Sequence, residues 1–87
     1  MVRSHVIFTG RVQGVGFRYT AQRMAKEQKL SGWVKNLSDG RVEMVVEGPR
    51  DKIDHLIFKI EGHFTITKKD SDWLPARGQF TDFDIAY

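Results

Sequence analysis

Apolar side chains along the chain change period several times, and the changes mark out its elements. From Arg3 to Thr9 the pattern alternates, with Val6 and Phe8 on one face and His5, Ile7 and Thr9 on the other, which predicts a strand. From Phe17 to Lys29 the period lengthens: Phe17, Ala21, Met24 and Ala25 form an apolar stripe at helical spacing, and Lys26 and Lys29 suit the negative end of the helix dipole. Gly32–Leu37 and Arg41–Glu47 read as two strands joined at Asp39-Gly40, a strong two-residue hairpin signal. In the second of them Val42, Met44 and Val46 share one face, and Arg41, Glu43 and Glu47 the other.

Pro49 stands where a helix tolerates proline, at its first position. Ile53, Leu56, Ile57 and Ile60 then follow at i, i+3, i+4 and i+7, with Gly62 expected to stop the helix. Phe64–Lys68 predicts a fourth strand and Phe80–Tyr87 a last one, with a loop over Ser71–Gln79 that contains Pro75 and Gly78. The resulting order predicts an α+β, ferredoxin-like split βαβ sandwich (βαββαβ), with two helices on one face of an antiparallel sheet. That architecture hosts many unrelated functions and selects none.

A chain of 87 residues holds one domain, residues 1–87, with one core. It has no cysteine, which excludes disulfides, thiolate-bound metal and cysteine nucleophiles, and fits a reducing compartment. The longest apolar run near the N-terminus, Val6–Phe8, is too short for a signal peptide, and no segment approaches the roughly 20 residues of a membrane span. A soluble cytoplasmic protein, free of membrane, is expected. The formal net charge of +3 favours anionic partners without choosing between phosphate esters and nucleic acid.

The chemistry is concentrated in Gly10-Arg11-Val12-Gln13-Gly14-Val15-Gly16-Phe17-Arg18, which joins a strand to the start of a helix. The first helical turn leaves N–H groups without partners at the positive end of the dipole. A glycine-rich loop can aim successive N–H groups at one point, and Arg18 adds a planar fork of donors that fits phosphate oxygens. The alternative is a tight turn beside a solvated arginine. Asn36, just before the hairpin, has an amide that can both donate and accept, as water positioning requires. Turn chemistry is its alternative role.

These residues, with Gly32-Trp33-Val34-Lys35-Asn36-Leu37-Ser38-Asp39-Gly40-Arg41-Val42-Glu43 and Glu47-Gly48-Pro49, closely resemble the acylphosphatase family. The resemblance covers two long blocks at the family's separation. It implies metal-free and cofactor-free hydrolysis of acyl phosphates to a carboxylate and inorganic phosphate. It also implies that the backbone amides of Gln13, Gly14, Val15, Gly16 and Phe17, together with Arg18, hold the phosphoryl group, and that Asn36 orients the attacking water. Inorganic phosphate or sulfate would bind the same loop. The expected assembly is a monomer.

His5, His55 and His63 are scattered, without metal-ligand spacing. Trp33 and Trp73 suit packing, and Asp70 and Asp72 a solvated loop. A nucleic-acid-binding module is the first rival, but Arg41–Glu47 carries no aromatic and the first strand offers only Phe8 for stacking. The second rival is a domain that binds an acyl or carbamoyl phosphate without turning it over. A chain running from Met1 to Tyr87 leads instead to the expectation of a stand-alone enzyme.

Overall fold

The computed structural model describes residues 1–87. Its elements are β1 (Val2–Arg11), α1 (Phe17–Glu27), β2 (Ser31–Asn36), β3 (Val42–Gly48), α2 (Arg50–His63), β4 (Thr65–Pro75) and β5 (Phe83–Ala86). One five-stranded sheet runs in the order β4-β1-β3-β2-β5. The first four strands pair antiparallel, whereas β5 joins the outer edge of β2 in parallel, so the sheet is mixed.

The helices cover one face. Val6, Phe8, Val34, Val42, Met44 and Val46 point from the sheet toward the apolar stripes of α1 and α2, all of them fully buried. The predicted stripes are the buried ones: Phe17, Ala21, Met24 and Ala25 on α1, and Ile53, Leu56, Ile57 and Ile60 on α2. The opposite face carries His5, Glu43 and Trp33, with a hydrogen bond of 2.6 Å between His5 Nε2 and Glu43 Oε2. Phe8 faces the helices at 0% exposure and offers no surface on which a base could stack.

The last strand covers Phe83–Ala86 rather than Phe80–Tyr87, β1 runs past Arg3–Thr9 at both ends, and Pro49 is the N-cap of α2 rather than its first helical residue. Three further boundaries differ from the sequence expectation. First, β4 does not stop at Lys68 but continues to Pro75, so Ser71–Pro75 is strand rather than loop. Thr67 is left unpaired where the register with β1 shifts, between Lys68 opposite Thr9 and Ile66 opposite Gly10. That bulge brings Ile66 and Trp73, an odd number of residues apart, to the same core-facing side. Because β4 is otherwise solvated on both faces, no alternation marks it. Second, Gly62 does not end α2, which runs on to His63 with ordinary helical geometry. Third, α1 ends at Glu27, two residues early. Lys29 takes the left-handed conformation at φ 57°, Leu30 N–H donates to the Ala25 carbonyl and Lys29 N–H to that of Lys26. This is a Schellman stop made with lysine instead of glycine, sealed by buried Leu30.

Glu47 is a buried carboxylate at the end of β3. Its Oε2 accepts from Arg3 Nε at 2.7 Å and Arg77 N–H at 2.9 Å, and its Oε1 from Gly78 N–H at 3.1 Å. Arg3 also donates to Gln79 at 2.7 Å and lies 5.0 Å from the centre of the Phe80 ring, which fastens the segment between β4 and β5. Burial alone raises the carboxyl pKa, but the Arg77 N–H, Arg3 and Gly78 N–H together outweigh it, and the net shift is downward from 4.5. A lowered carboxyl pKa stabilises the fold above its unfolded value and is lost as pH falls through the folded one. Glu47→Gln should therefore cost about 3 kcal/mol at pH 7. In urea melts, the gap between variant and wild type should close as pH falls below the ordinary glutamate range.

Candidate active site

The loop between β1 and α1 is pinned at both ends by the core. Val12 is 1% exposed, and Phe17 is buried against Phe8 and Phe64, with ring centres 5.3 and 4.7 Å away. Between these anchors Gly14 (φ 73°) and Gly16 (φ 77°, ψ 21°) are left-handed. No atom lies within 4 Å of where a Cβ would stand at either position, so backbone conformation, not space, requires glycine there.

The curled backbone delivers its N–H groups to the start of α1 without partners. Gly16 occupies the N-cap position, no side chain caps the helix, and its first turn holds no acid. The first amide there to find a carbonyl is Thr20 N–H, bonded to Gly16 at 3.1 Å, and those of Gln13 to Tyr19 donate to nothing in the fold. By contrast α2 places Asp51 in its first turn. α1 instead puts a cation, Arg18, at the positive end of its dipole, an arrangement that favours a bound anion. Arg18 is half-buried, and its guanidinium carbon lies 5.1 Å from the centre of the Tyr87 ring. It shares with Gly14, Gly16 and Asn36 a pocket of about 160 Å³, completed by Val12, Phe17 and Tyr19.

Asn36 closes β2 opposite Val42. Its side-chain oxygen is buried and accepts no hydrogen bond within the fold. The turn is made by another residue: Asp39 accepts from Arg41 N–H at 3.1 Å and Arg41 Nε at 2.8 Å, contacts that hold its carboxyl below the ordinary range. Turn chemistry therefore does not account for Asn36. A buried acceptor left unmet costs about 1–3 kcal/mol, which a water donating to it would remove.

Of the loop residues singled out from sequence, Gly14, Gly16, Phe17 and Arg18 line the pocket. Val15 is outside the lining and 37% exposed, and Arg11 ends β1 opposite Thr65. The Gln13 side chain turns away, its amide donating to the carbonyls of Leu37 and Arg41 at 2.7 and 2.9 Å. Tyr19 and Tyr87 were not anticipated. Tyr19 follows from the helix start one residue beyond Arg18, but nothing local ties Tyr87 to Arg18 across the length of the chain. A larger hollow of about 670 Å³ on the outside of α1 is open surface crossed by exposed ion pairs, Arg23–Glu27 and Lys26–Asp82. His5 is engaged by Glu43, while His55 and His63 are exposed on α2.

A family model described as acylphosphatase matches residues 4–85. The chain belongs to the acylphosphatase family. An acylphosphatase of Roseiflexus sp. (strain RS-1) is 40% identical over 90 residues, spanning 100% of this chain and 97% of the relative. The crystal structure of acylphosphatase from Bacillus subtilis superposes with a TM-score of 0.94 at 37% identity, each chain covered completely. The structure of T. kodakarensis HypF matches this chain in full with a TM-score of 0.85 at 33% identity, over only 12% of its own length.

The loop conformation of this chain has a measurable cost. Gly16→Ala should lose about 1–2 kcal/mol in chemical denaturation, because an L-residue resists the left-handed region. Gly62→Ala, in the helical backbone of α2 with open space around it, should instead gain about 0.5–1 kcal/mol.

Proposed function

We propose that this chain hydrolyses acyl phosphates to a carboxylate and inorganic phosphate, with Arg18 and Asn36 as its catalytic residues. One observation supports the reading above the others: an uncapped helix N-terminus, acid-free and preceded by unpartnered amides, with an arginine in its first turn. Membership of the acylphosphatase family supplies the substrate class.

In this mechanism the backbone amides of Gln13 to Phe17 and the Arg18 guanidinium hold the phosphoryl oxygens. Negative charge shifts among those oxygens as the bond to the acyl group breaks, and donors already aimed at them need no rearrangement. The Tyr87 ring, 5.1 Å from the guanidinium carbon, offers a cation–π contact that consumes none of its N–H donors. Asn36 Oδ1 accepts a hydrogen bond from the attacking water and orients it in line with the leaving group. The water oxygen forms the new bond to phosphorus, the bond to the acyl oxygen breaks, and the carboxylate leaves without protonation because it is a weak base. The water proton passes to a phosphate oxygen. Neither a metal nor a cofactor takes part, and the chain works as a monomer in the cytoplasm.

A second reading is a binding domain without free turnover; the match to 12% of T. kodakarensis HypF shows that the same fold also occurs inside a longer chain. Phosphate release from acetyl phosphate in the presence of a chelator separates the two: turnover supports the enzyme, and binding without release supports the domain.

Arg18→Ala should lower the rate about 10²–10³-fold, or ~3–4 kcal/mol, and weaken inhibition by inorganic phosphate. Asn36→Ala should lower turnover and leave phosphate inhibition nearly intact. If both variants turn over acetyl phosphate at the wild-type rate, the roles are wrong. Guanidinium and amide groups do not titrate near neutrality, so turnover should change little between pH 5 and 8 beyond the substrate's own ionisation. A sharp limb near pH 6.5 would point to a histidine instead.

A further inference from the structure

The two halves of the site come from strands that do not touch. The loop follows β1, Asn36 ends β2, and β3 lies between those strands in the sheet. In-line attack needs the water and the phosphoryl group in fixed register, and an error of about 1 Å can cost 10²-fold in rate. Something must therefore fix the loop relative to the end of β2.

We propose that the Gln13 side chain is this positioning residue, tethering the phosphate loop to the β2–β3 hairpin so that loop and Asn36 keep their spacing. The inference rests on the catalytic reading above and adds a role that the backbone of Gln13 does not have. Gln13 Nε2 carries two N–H groups and uses both, donating to Leu37 O at 2.7 Å and to Arg41 O at 2.9 Å. Those carbonyls form the base of the hairpin: Arg41 O also accepts from Leu37 N–H at 2.8 Å, and Leu37 O from Gly40 N–H at 3.2 Å. Leu37 directly follows Asn36. One amide nitrogen thus connects the residue before Gly14 to the residue after the proposed water-orienting side chain. The side chain is outside the pocket lining and touches no reacting group. Its loss should disturb geometry between the halves and spare the amides and guanidinium that hold phosphate.

The test uses the full chain with acetyl phosphate as substrate and inorganic phosphate as inhibitor. Gln13→Met keeps length and flexibility but removes both donors. Its kcat should fall about ten- to a hundredfold, while the inhibition constant for phosphate stays within about threefold. Because Asn36 acts only when correctly placed, Asn36→Ala should cost far less in the Gln13→Met background than in the wild type. Gln13→Asn keeps the amide but is one methylene too short to reach both carbonyls, so it should give an intermediate loss. It also serves if the methionine variant does not melt as a folded protein.

Wild-type kcat in Gln13→Met overturns the proposal. So does an equal loss of turnover and phosphate affinity that is additive with Asn36→Ala, and so does failure of both Gln13 variants to fold, which would make the tether a folding contact. Absence of turnover in the wild-type chain would remove the catalytic reading itself, and with it the tether's role. That outcome is distinct from an active wild type with an indifferent Gln13.

Discussion

Everything at the proposed site follows from amides that the fold leaves unpaired. A helix must satisfy or expose its first N–H groups, and most sequences supply a capping oxygen or a carboxylate. Here the cap position is glycine, the first turn is free of acid, and the chain enters it through two left-handed residues. Phe17 makes this arrangement durable. Its ring is locked between Phe8 and Phe64, so the helix start cannot drift toward some other partner. The aromatic anchor and the electropositive backbone are adjacent in sequence, which places a rigid support directly under a polar site.

The rest of the molecule holds that start in place. β3 is the central strand, paired with β1 on one side and β2 on the other, and it carries both Val42, beside the site, and Glu47, at the far end. At the far end charge is buried and fully bonded, which closes the segment between β4 and β5 over the sheet. Near the site, polar groups are left with capacity to spare: the loop amides, Arg18 and the Asn36 oxygen. One end of the sheet contributes stability and the other is free to accept a ligand.

Much of this is legible in the sequence because the signals are short-ranged. The stripe Phe17, Ala21, Met24 and Ala25 and the glycines before Arg18 each declare themselves within a few residues, and the structure places them as the pattern implies. Asp39-Gly40 does mark the hairpin, but the connection spans Leu37–Arg41 rather than two residues, because Leu37 N–H closes on the Arg41 carbonyl. What could not be read depends on partners distant in the chain. β4 hides because a bulge at Thr67 breaks its phase and because an edge strand needs little apolar patterning. Gly62 looked like a stop, yet α2 continues through it until Phe64 turns back toward Phe17 in the core. Lys29 takes a role usually left to glycine because Leu30 behind it is buried. Tyr87 beneath Arg18, and the Gln13 amide at the hairpin base, depend on contacts no local pattern encodes.

The two rims of the sheet carry a different consequence. An open rim displays unpaired peptide groups and invites a neighbouring molecule to continue the ladder, a route to fibrils. β4, the long rim, is kinked by its bulge and studded with exposed Lys68, Lys69, Asp70 and Asp72 before it ends at Pro75, all of which discourage addition of a foreign strand. The other rim, β5, is only four residues long and gives an incoming chain little to grip. The same polar stretch that conceals β4 from pattern reading thus works against edge-to-edge pairing with a second sheet.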